Sequence, residues 1–431
     1  MTNSWNKSTI CVRGGYVPKN GESSVMPLYQ NTTYKYDTAD SLAAVFDLEE
    51  EGHSYTRVSN PTIAALEQKL TSLEGGVGAV ATASGLAAIM LAVLNICSSG
   101  DNLLCSSTVY GGTYNLFSVR MKEFGIEVIF VNPDSTVEEI VNLANDKTKL
   151  IYAESIGNPA INVLNFKVFS RAAKQLQIPL VVDNTLASPY LCHAFEHGAN
   201  IIVHSTTKYI EGHANSIGGI IIDGGNFDWP KNKFPQLVEP DLSYHGISYI
   251  QKFGKLAYIT KVRTQLLRDY GCCMSPFNAY MTNIGLETLH LRMKQHSENA
   301  LIIAKWLSGH KCIDWVSYPG LCSDENYIRA QKYLPKGSSG IITFGIRGGI
   351  KAAKQFITNV KLVMHVTHLA DVRSCVTHPA STTHRQLNET QQRLAGITPE
   401  LIRLSIGIED VADIIGDLKQ ALSKINNMSM D

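Results

Sequence analysis

The sequence carries no surplus charge: 38 lysines and arginines stand against 38 aspartates and glutamates in 431 residues, a formal net charge of zero. It has no Lys/Arg-rich block, which argues against nucleic acid as a partner, and no acidic tail of the kind that stays disordered. A long apolar run is missing too. The longest, Leu86 to Ile96, is too short to cross a bilayer. The opening residues, Met1-Thr2-Asn3-Ser4-Trp5-Asn6-Lys7, lack the charged-then-apolar layout of a secretory signal. None of the nine cysteines stands in CxxC spacing, and their count is odd. In a chain this large that disfavours a disulfide framework or a zinc site, so no metal is expected and reduced thiols in a cytoplasmic protein fit best. Internal repeats and low-complexity tracts are absent as well. What remains is an ordinary globular composition, 44% hydrophobic and 18% charged, long enough for two domains. Small molecules are the expected partners, with no nucleic acid and no membrane.

Two apolar runs lead into charged residues. Ile178-Pro179-Leu180-Val181-Val182 is closed by Asp183, and Ala199-Asn200-Ile201-Ile202-Val203-His204 runs into Ser205-Thr206-Thr207-Lys208-Tyr209, with a helix-length segment between them. Such a pair reads as one βαβ unit. It puts Asp183 and Lys208 at the carboxyl edge of a parallel sheet, where open α/β folds hold their ligands. A lysine and an aspartate fixed there suit pyridoxal 5'-phosphate: the amine forms a Schiff base, and the carboxylate keeps the pyridine nitrogen protonated. Singly, Lys208 reads as a surface lysine and Asp183 as a capping residue; their pairing on adjacent strands is what favours the cofactor.

The surrounding pattern agrees. Residues 1–60 are polar and turn-rich, an arm of the kind that packs on a neighbour. Pro61 to Leu70 has helical apolar spacing, with Asn60 as N-cap and Pro61 at the first helical position. Strand-like segments (78–81, 102–105, 127–131, 149–154, 180–183, 201–204) then alternate with helix-like ones (86–96, 113–124, 137–144, 167–176), which predicts a mainly parallel sheet with helices on both faces over 61–260. Gly218 to Gly225 adds a late strand, and 226–249 form a long connection rich in Pro and Tyr. From about 260 long helical patterns and short strands take over, predicting a smaller α+β domain over 261–431.

Further candidates flank this centre. Ser84-Gly85-Leu86 follow a strand and open a helix, so their backbone N–H groups and the helix dipole face an anion. Ser205 and Thr207 either add hydroxyls to that phosphate site or form a plain Ser/Thr turn. Gly75-Gly76-Val77-Gly78 stands before the strand rather than after it and reads as a turn. Tyr110, on a glycine-flanked turn, either stacks on a flat ring and moves a proton through its phenol or packs half-buried. Arg57 completes a phosphate site or is simply solvated. Arg403 interrupts the apolar run Leu401 to Gly407, so it needs either an amino-acid carboxylate or a structural ion partner.

From about residue 9 to 425 the chain resembles the Cys/Met-metabolism family of pyridoxal-phosphate enzymes. The motifs that carry the likeness are Tyr55-Thr56-Arg57, Ser84-Gly85-Leu86, Glu154-Ser155-Ile156-Gly157-Asn158-Pro159, Val182-Asp183-Asn184-Thr185, Ser205-Thr206-Thr207-Lys208-Tyr209 and His378-Pro379-Ala380-Ser381-Thr382-Thr383-His384. The resemblance implies the type I (aspartate-aminotransferase-like) fold, with Lys208 as the Schiff-base lysine and Asp183 on the pyridine nitrogen. It further implies Gly85, Leu86, Ser205 and Thr207 at the phosphate, Tyr110 stacked on the ring, and Asn158 near the 3'-oxygen. Arg403 would take the substrate carboxylate, and Tyr55 and Arg57 would reach the phosphate of a neighbouring subunit's site, within a homotetramer built from active dimers.

Within the family, Gly212 to Gly219, Asp223 to Trp229 and Ser243 to Gly246 resemble the O-acetylhomoserine sulfhydrylase branch. The implied reaction is γ-replacement: O-acetyl-L-homoserine and sulfide give L-homocysteine and acetate, with Lys208 and Tyr110 as the catalytic groups. Cystathionine γ-synthase and methionine γ-lyase are the alternatives. The lyases tend to carry a cysteine two residues after the stacking tyrosine, where this chain has Gly112. One departure stands out: His368 occupies a position where the family usually places Ser or Asn to help hold the substrate carboxylate, a task the imidazole can also serve.

Overall fold

The computed structural model describes residues 5–383, 385, 388, 392 and 396–425. His384, the last residue of the motif that begins at His378, and residues 1–4 lie outside the described residues. Seven strands form the larger sheet: β1 (Gly78–Thr82), β2 (Asn102–Ser106), β3 (Glu127–Val131), β4 (Thr148–Glu154), β5 (Leu180–Asp183), β6 (Ile201–His204) and β7 (Gly219–Asp223). Their order is β1-β7-β6-β5-β4-β2-β3. All run parallel except β7, which is antiparallel to both β1 and β6. Strands β2, β6 and β7 are buried along their whole length, as continuous Leu/Ile/Val runs require when helices cover both faces. The covering helices include Pro61–Glu74 against β1, Gly85–Leu94 against β6 and β7, and Phe166–Leu176 against β4 and β5.

Local chemistry sets the helix starts. The Asn60 side chain accepts from the Thr62 N–H with Pro61 at the first position, as the sequence predicts. At Gly85–Leu94 the Ser84 hydroxyl accepts from the Ala87 N–H. This second helix is apolar nearly all round, which fits its place deep in the core.

The smaller sheet, of order β10-β11-β12-β9-β8, comprises β8 (Ile313–Ser317), β9 (Ile341–Ile346), β10 (Met364–His365), β11 (Cys375–Thr377) and β12 (Leu401–Ser405). It has its own core, with Ile342, Phe344, Ile402 and Leu404 packed on helices that include Gly349–Asn359 and Val411–Ser423. The helix Leu289–Ser308 serves both cores: Leu289 and Met293 face the large sheet, and Ala300, Ile303 and Leu307 the small one. Val262, Leu267, Ala279 and Leu286 also share the larger core, so the change of sequence texture near 260 precedes the change of core by some forty residues, a span the periodicity of those helices does not reveal.

The arm has more structure than its composition suggests. It forms helices Lys7–Arg13 and Ala39–Phe46. The first buries only Ile10 and Cys11, and the second has no buried residue, too little apolar periodicity to register in the sequence.

Candidate active site

Because β1, β2, β4, β5 and β6 are parallel, the segments that leave their carboxyl ends meet at one edge. There they line a cavity of about 220 Å³: Ser84 to Leu86 after β1, Tyr110 after β2, Glu154 and Asp183 at the ends of β4 and β5, and Ser205, Thr207 and Lys208 after β6. The smaller domain closes it with Thr367 and Leu369 after β10 and Arg403 from the centre of β12.

Lys208 sits in the turn after β6, its N–H donating to the Ser205 carbonyl. Burial, reinforced by the Arg403 charge, lowers its ammonium to about 8, so about a tenth of the amine is neutral at pH 7 and about half near pH 8. Asp183 accepts from the Thr185 N–H at 2.9 Å and from the Tyr152 hydroxyl at 3.3 Å. Burial raises its carboxyl; the Thr185 bonds, the nearby His204 and the Tyr152 bond act against that rise. A cation placed in the cavity beside Asp183 would favour the carboxylate.

Arg403 is almost wholly buried, flanked in register by Thr343 and Thr377. Its Nη1 donates to Asn158 Oδ1 at 3.0 Å, while Nη2 is buried with no partner. Burial lowers its pKa to about 10, leaving it charged at any ordinary pH. A guanidinium desolvated to this degree, with one free donor beside a cavity, is able to receive a carboxylate.

The anion cradle is equally specific. A Cβ on Gly85 would lie 2.6 Å from the Ser205 Cβ, so only glycine lets the helix start approach the 205–208 turn this closely. The Thr207 hydroxyl also exchanges bonds with the Gly218 backbone, donating to its carbonyl and accepting from its N–H. Lysine, facing carboxylate and helix N-terminus together fit pyridoxal phosphate; Lys208 would hold its carbonyl carbon, Asp183 its ring nitrogen, and the backbone at Gly85 and Leu86 its phosphate.

Tyr110 stands at the rim, 42% exposed, with its N–H donating to Glu154 Oε1 at 2.7 Å. Asn158, expected beside the ring oxygen, spends its side-chain oxygen on Arg403. His368 does not line the cavity, but its Nδ1 is 3.2 Å from the Lys208 amine and its Nε2 is buried without a partner. Burial and the Lys208 charge hold its imidazolium down near 4, so the ring is neutral. Tyr55 and Arg57 are not brought in. Both are exposed, the guanidinium 5.4 Å from the Tyr55 ring, away from the cavity of their own chain.

The sequence alone assigns no role to Glu154, Tyr152 or Thr185. Glu154 pairs with Asp183 in register on β4, and burial together with that carboxylate pushes its carboxyl well above the ordinary range. Its only signal in the sequence was its place at a strand end, in the motif that runs on to Pro159. Among the described residues there is no cluster of three or more His, Cys, Asp or Glu suited to a metal ion.

Comparison with known proteins extends this picture. The profile of the Cys/Met metabolism PLP-dependent enzymes matches residues 8–423. An O-acetyl-L-homoserine sulfhydrylase from Leptospira meyeri is 47% identical, covering 99% of this chain and 98% of the relative. A homocysteine/cysteine synthase from Saccharomyces cerevisiae is 42% identical over 94% of each. A Campylobacter jejuni structure described as an O-acetylhomoserine (thiol)-lyase, which bears a pyridoxyl-lysine phosphate, superposes with a TM-score of 0.94 at 38% identity, covering 97% of this chain and 100% of that one. With its mostly parallel sheet, its smaller C-terminal sheet and a match over nearly its whole length, the chain belongs to the Cys/Met metabolism family of PLP-dependent enzymes.

Proposed function

We propose that this chain catalyses γ-replacement, converting O-acetyl-L-homoserine and sulfide to L-homocysteine and acetate with pyridoxal 5'-phosphate. The observation that carries the reading is one cavity in which the Lys208 amine and the Asp183 carboxylate face a buried guanidinium, Arg403, with a free donor. When bound, the cofactor supplies an electron sink for charge that develops at the substrate Cα.

The residues divide the remaining work. Arg403 Nη2 takes the substrate carboxylate and fixes the orientation of the Cα–H bond. Lys208, whose amine burial makes easier to deprotonate, removes the Cα proton and moves protons at Cβ as acetate leaves and sulfide adds at Cγ. Tyr110 offers a phenol at the rim for the same traffic. His368, neutral and bonded to the lysine, holds the freed amine near the substrate carboxylate. Gly85, Leu86, Ser205 and Thr207 hold the phosphate, and Asn158 keeps Arg403 aimed.

Tyr55 and Arg57 complete the phosphate site of a neighbouring subunit, within a homotetramer; their exposure on the arm supports this. A cytoplasmic setting suits the nine free cysteines. The named relatives favour the sulfhydrylase over the lyase and cystathionine synthase alternatives.

Borohydride reduction of the holoenzyme followed by peptide mapping tests the centre. The cofactor should be recovered on Lys208, and Lys208→Ala should lose turnover of O-acetylhomoserine with sulfide by about a thousandfold or more. Near-normal turnover in that variant would overturn the reading.

A further inference from the structure

One buried ionisable cluster stands outside the cavity lining. Glu74 ends the helix Pro61–Glu74 with its side chain fully buried. Its Oε1 accepts from His204 Nε2 at 2.6 Å and from Asn184 Nδ2 at 3.0 Å. His204 closes β6 and is the residue before Ser205; Asn184 is the residue after Asp183. A single carboxylate oxygen therefore ties together the two strand ends that deliver Asp183 and the 205–208 turn.

Backbone bonds cross the same gap. The Asn184 N–H donates to the Val203 carbonyl at 3.0 Å, and the Ser205 N–H to the Thr185 hydroxyl at 2.9 Å. The cluster is costly to bury, for Glu74 Oε2 and His204 Nδ1 have no partner. Burial by itself raises the Glu74 carboxyl, but His204, then Lys7 and Asn184, more than offset it and hold the group below the ordinary range. Glu74 is thus a carboxylate, and Nε2 is the nitrogen of His204 that carries the proton toward it. Well-packed apolar residues would join helix and strands at a smaller desolvation cost. What the carboxylate adds is direction: it fixes two side chains, and with them the peptide planes next to Asp183 and Ser205.

We infer that Glu74, His204 and Asn184 are positioning residues for the cofactor, holding the Asp183 carboxylate and the Ser205 turn in place without touching cofactor or substrate. The inference rests on the roles proposed above for Asp183 and Ser205.

The test uses holoenzyme variants Glu74→Gln, His204→Ala and His204→Gln, with Asp183→Asn alongside. Four quantities are measured: the cofactor dissociation constant by reconstitution, the visible absorbance band of the bound cofactor, the KM for O-acetylhomoserine, and Tm. Glu74→Gln and His204→Ala should weaken cofactor binding by about tenfold or more and displace the band. The KM for O-acetylhomoserine should stay within about twofold, since Arg403 is untouched. His204→Gln, whose amide N–H reaches nearly as far as Nε2, should recover most of the affinity. Wild-type cofactor affinity and an unmoved band in Glu74→Gln and His204→Ala, whatever Tm does, would overturn the inference. If His204→Ala does not fold, Glu74→Gln decides alone. Asp183→Asn must itself weaken binding and move the band; should it do neither, the reading of Asp183 fails and this inference with it.

Discussion

Arg403 brings a full charge to the centre of β12 and leaves one of its terminal nitrogens unpaired. Stripping water from such a group costs several kcal/mol, which the Asn158 bond offsets in part and a ligand carboxylate would offset further. Replacing it by Met should therefore hold or raise the Tm of the substrate-free enzyme while raising KM for O-acetylhomoserine by at least about thirtyfold. A lower Tm with an unchanged KM would instead identify Arg403 as a structural partner of Asn158. Gly112 makes a second claim at this scale. A Cβ there would sit 2.5 Å from Cε1 of Tyr110, so Gly112→Cys must shift the ring from its present position. Steady-state kinetics should show kcat lowered by about tenfold or more, since small misplacements of a reacting group are expensive. An unchanged kcat would show that the ring accommodates the cysteine and that its present position is not critical to turnover.

At the scale of elements, the site depends on where parallel strands stop. The apolar runs made β5 and β6 legible in the sequence with their observed ends, and β12 with an end two residues late, which is why Asp183, Lys208 and Arg403 stood out as candidates. Hydrophobic runs carry no direction, however, so nothing in Gly218 to Gly225 revealed that β7 runs against its neighbours. Nor did they carry register: that Glu154 lies beside Asp183, and that Glu74 reaches His204 from 130 residues away, are facts of assembly. Strand β7 also yields a pH prediction. Burial raises the carboxyl of Asp223, at its end, to about 7. A folded-state pKa above the unfolded one means full stability while the group is protonated in both states. Stability is then lost as pH rises from about 4 through about 7, by on the order of a few kcal/mol. Asp223→Asn should accordingly melt higher than wild type at pH 8, with the gap shrinking toward pH 5. An equal gap at both values would contradict this assignment.

For the whole molecule, the cavity draws on residues from Ser84 to Arg403, yet leaves Tyr55 and Arg57 outside. Their place in the arm was legible as a motif, and the cavity of the same chain does not take them in. If Arg57 serves a neighbour's site, Lys208→Ala and Arg57→Ala should complement. Each variant alone would be nearly inactive, whereas co-expression should restore about a quarter of wild-type activity through hybrid dimers that hold one intact site. No restoration would confine each site to its own subunit.

The decisive measurement is product analysis of the purified holoenzyme with O-acetyl-L-homoserine, with and without sulfide, and with O-succinyl-L-homoserine for comparison. Homocysteine and acetate formed from the acetyl ester, in equal amounts and only when sulfide is present, are the expected result. Ammonia and 2-oxobutyrate released at the same rate regardless of sulfide would contradict γ-replacement and make the protein a lyase.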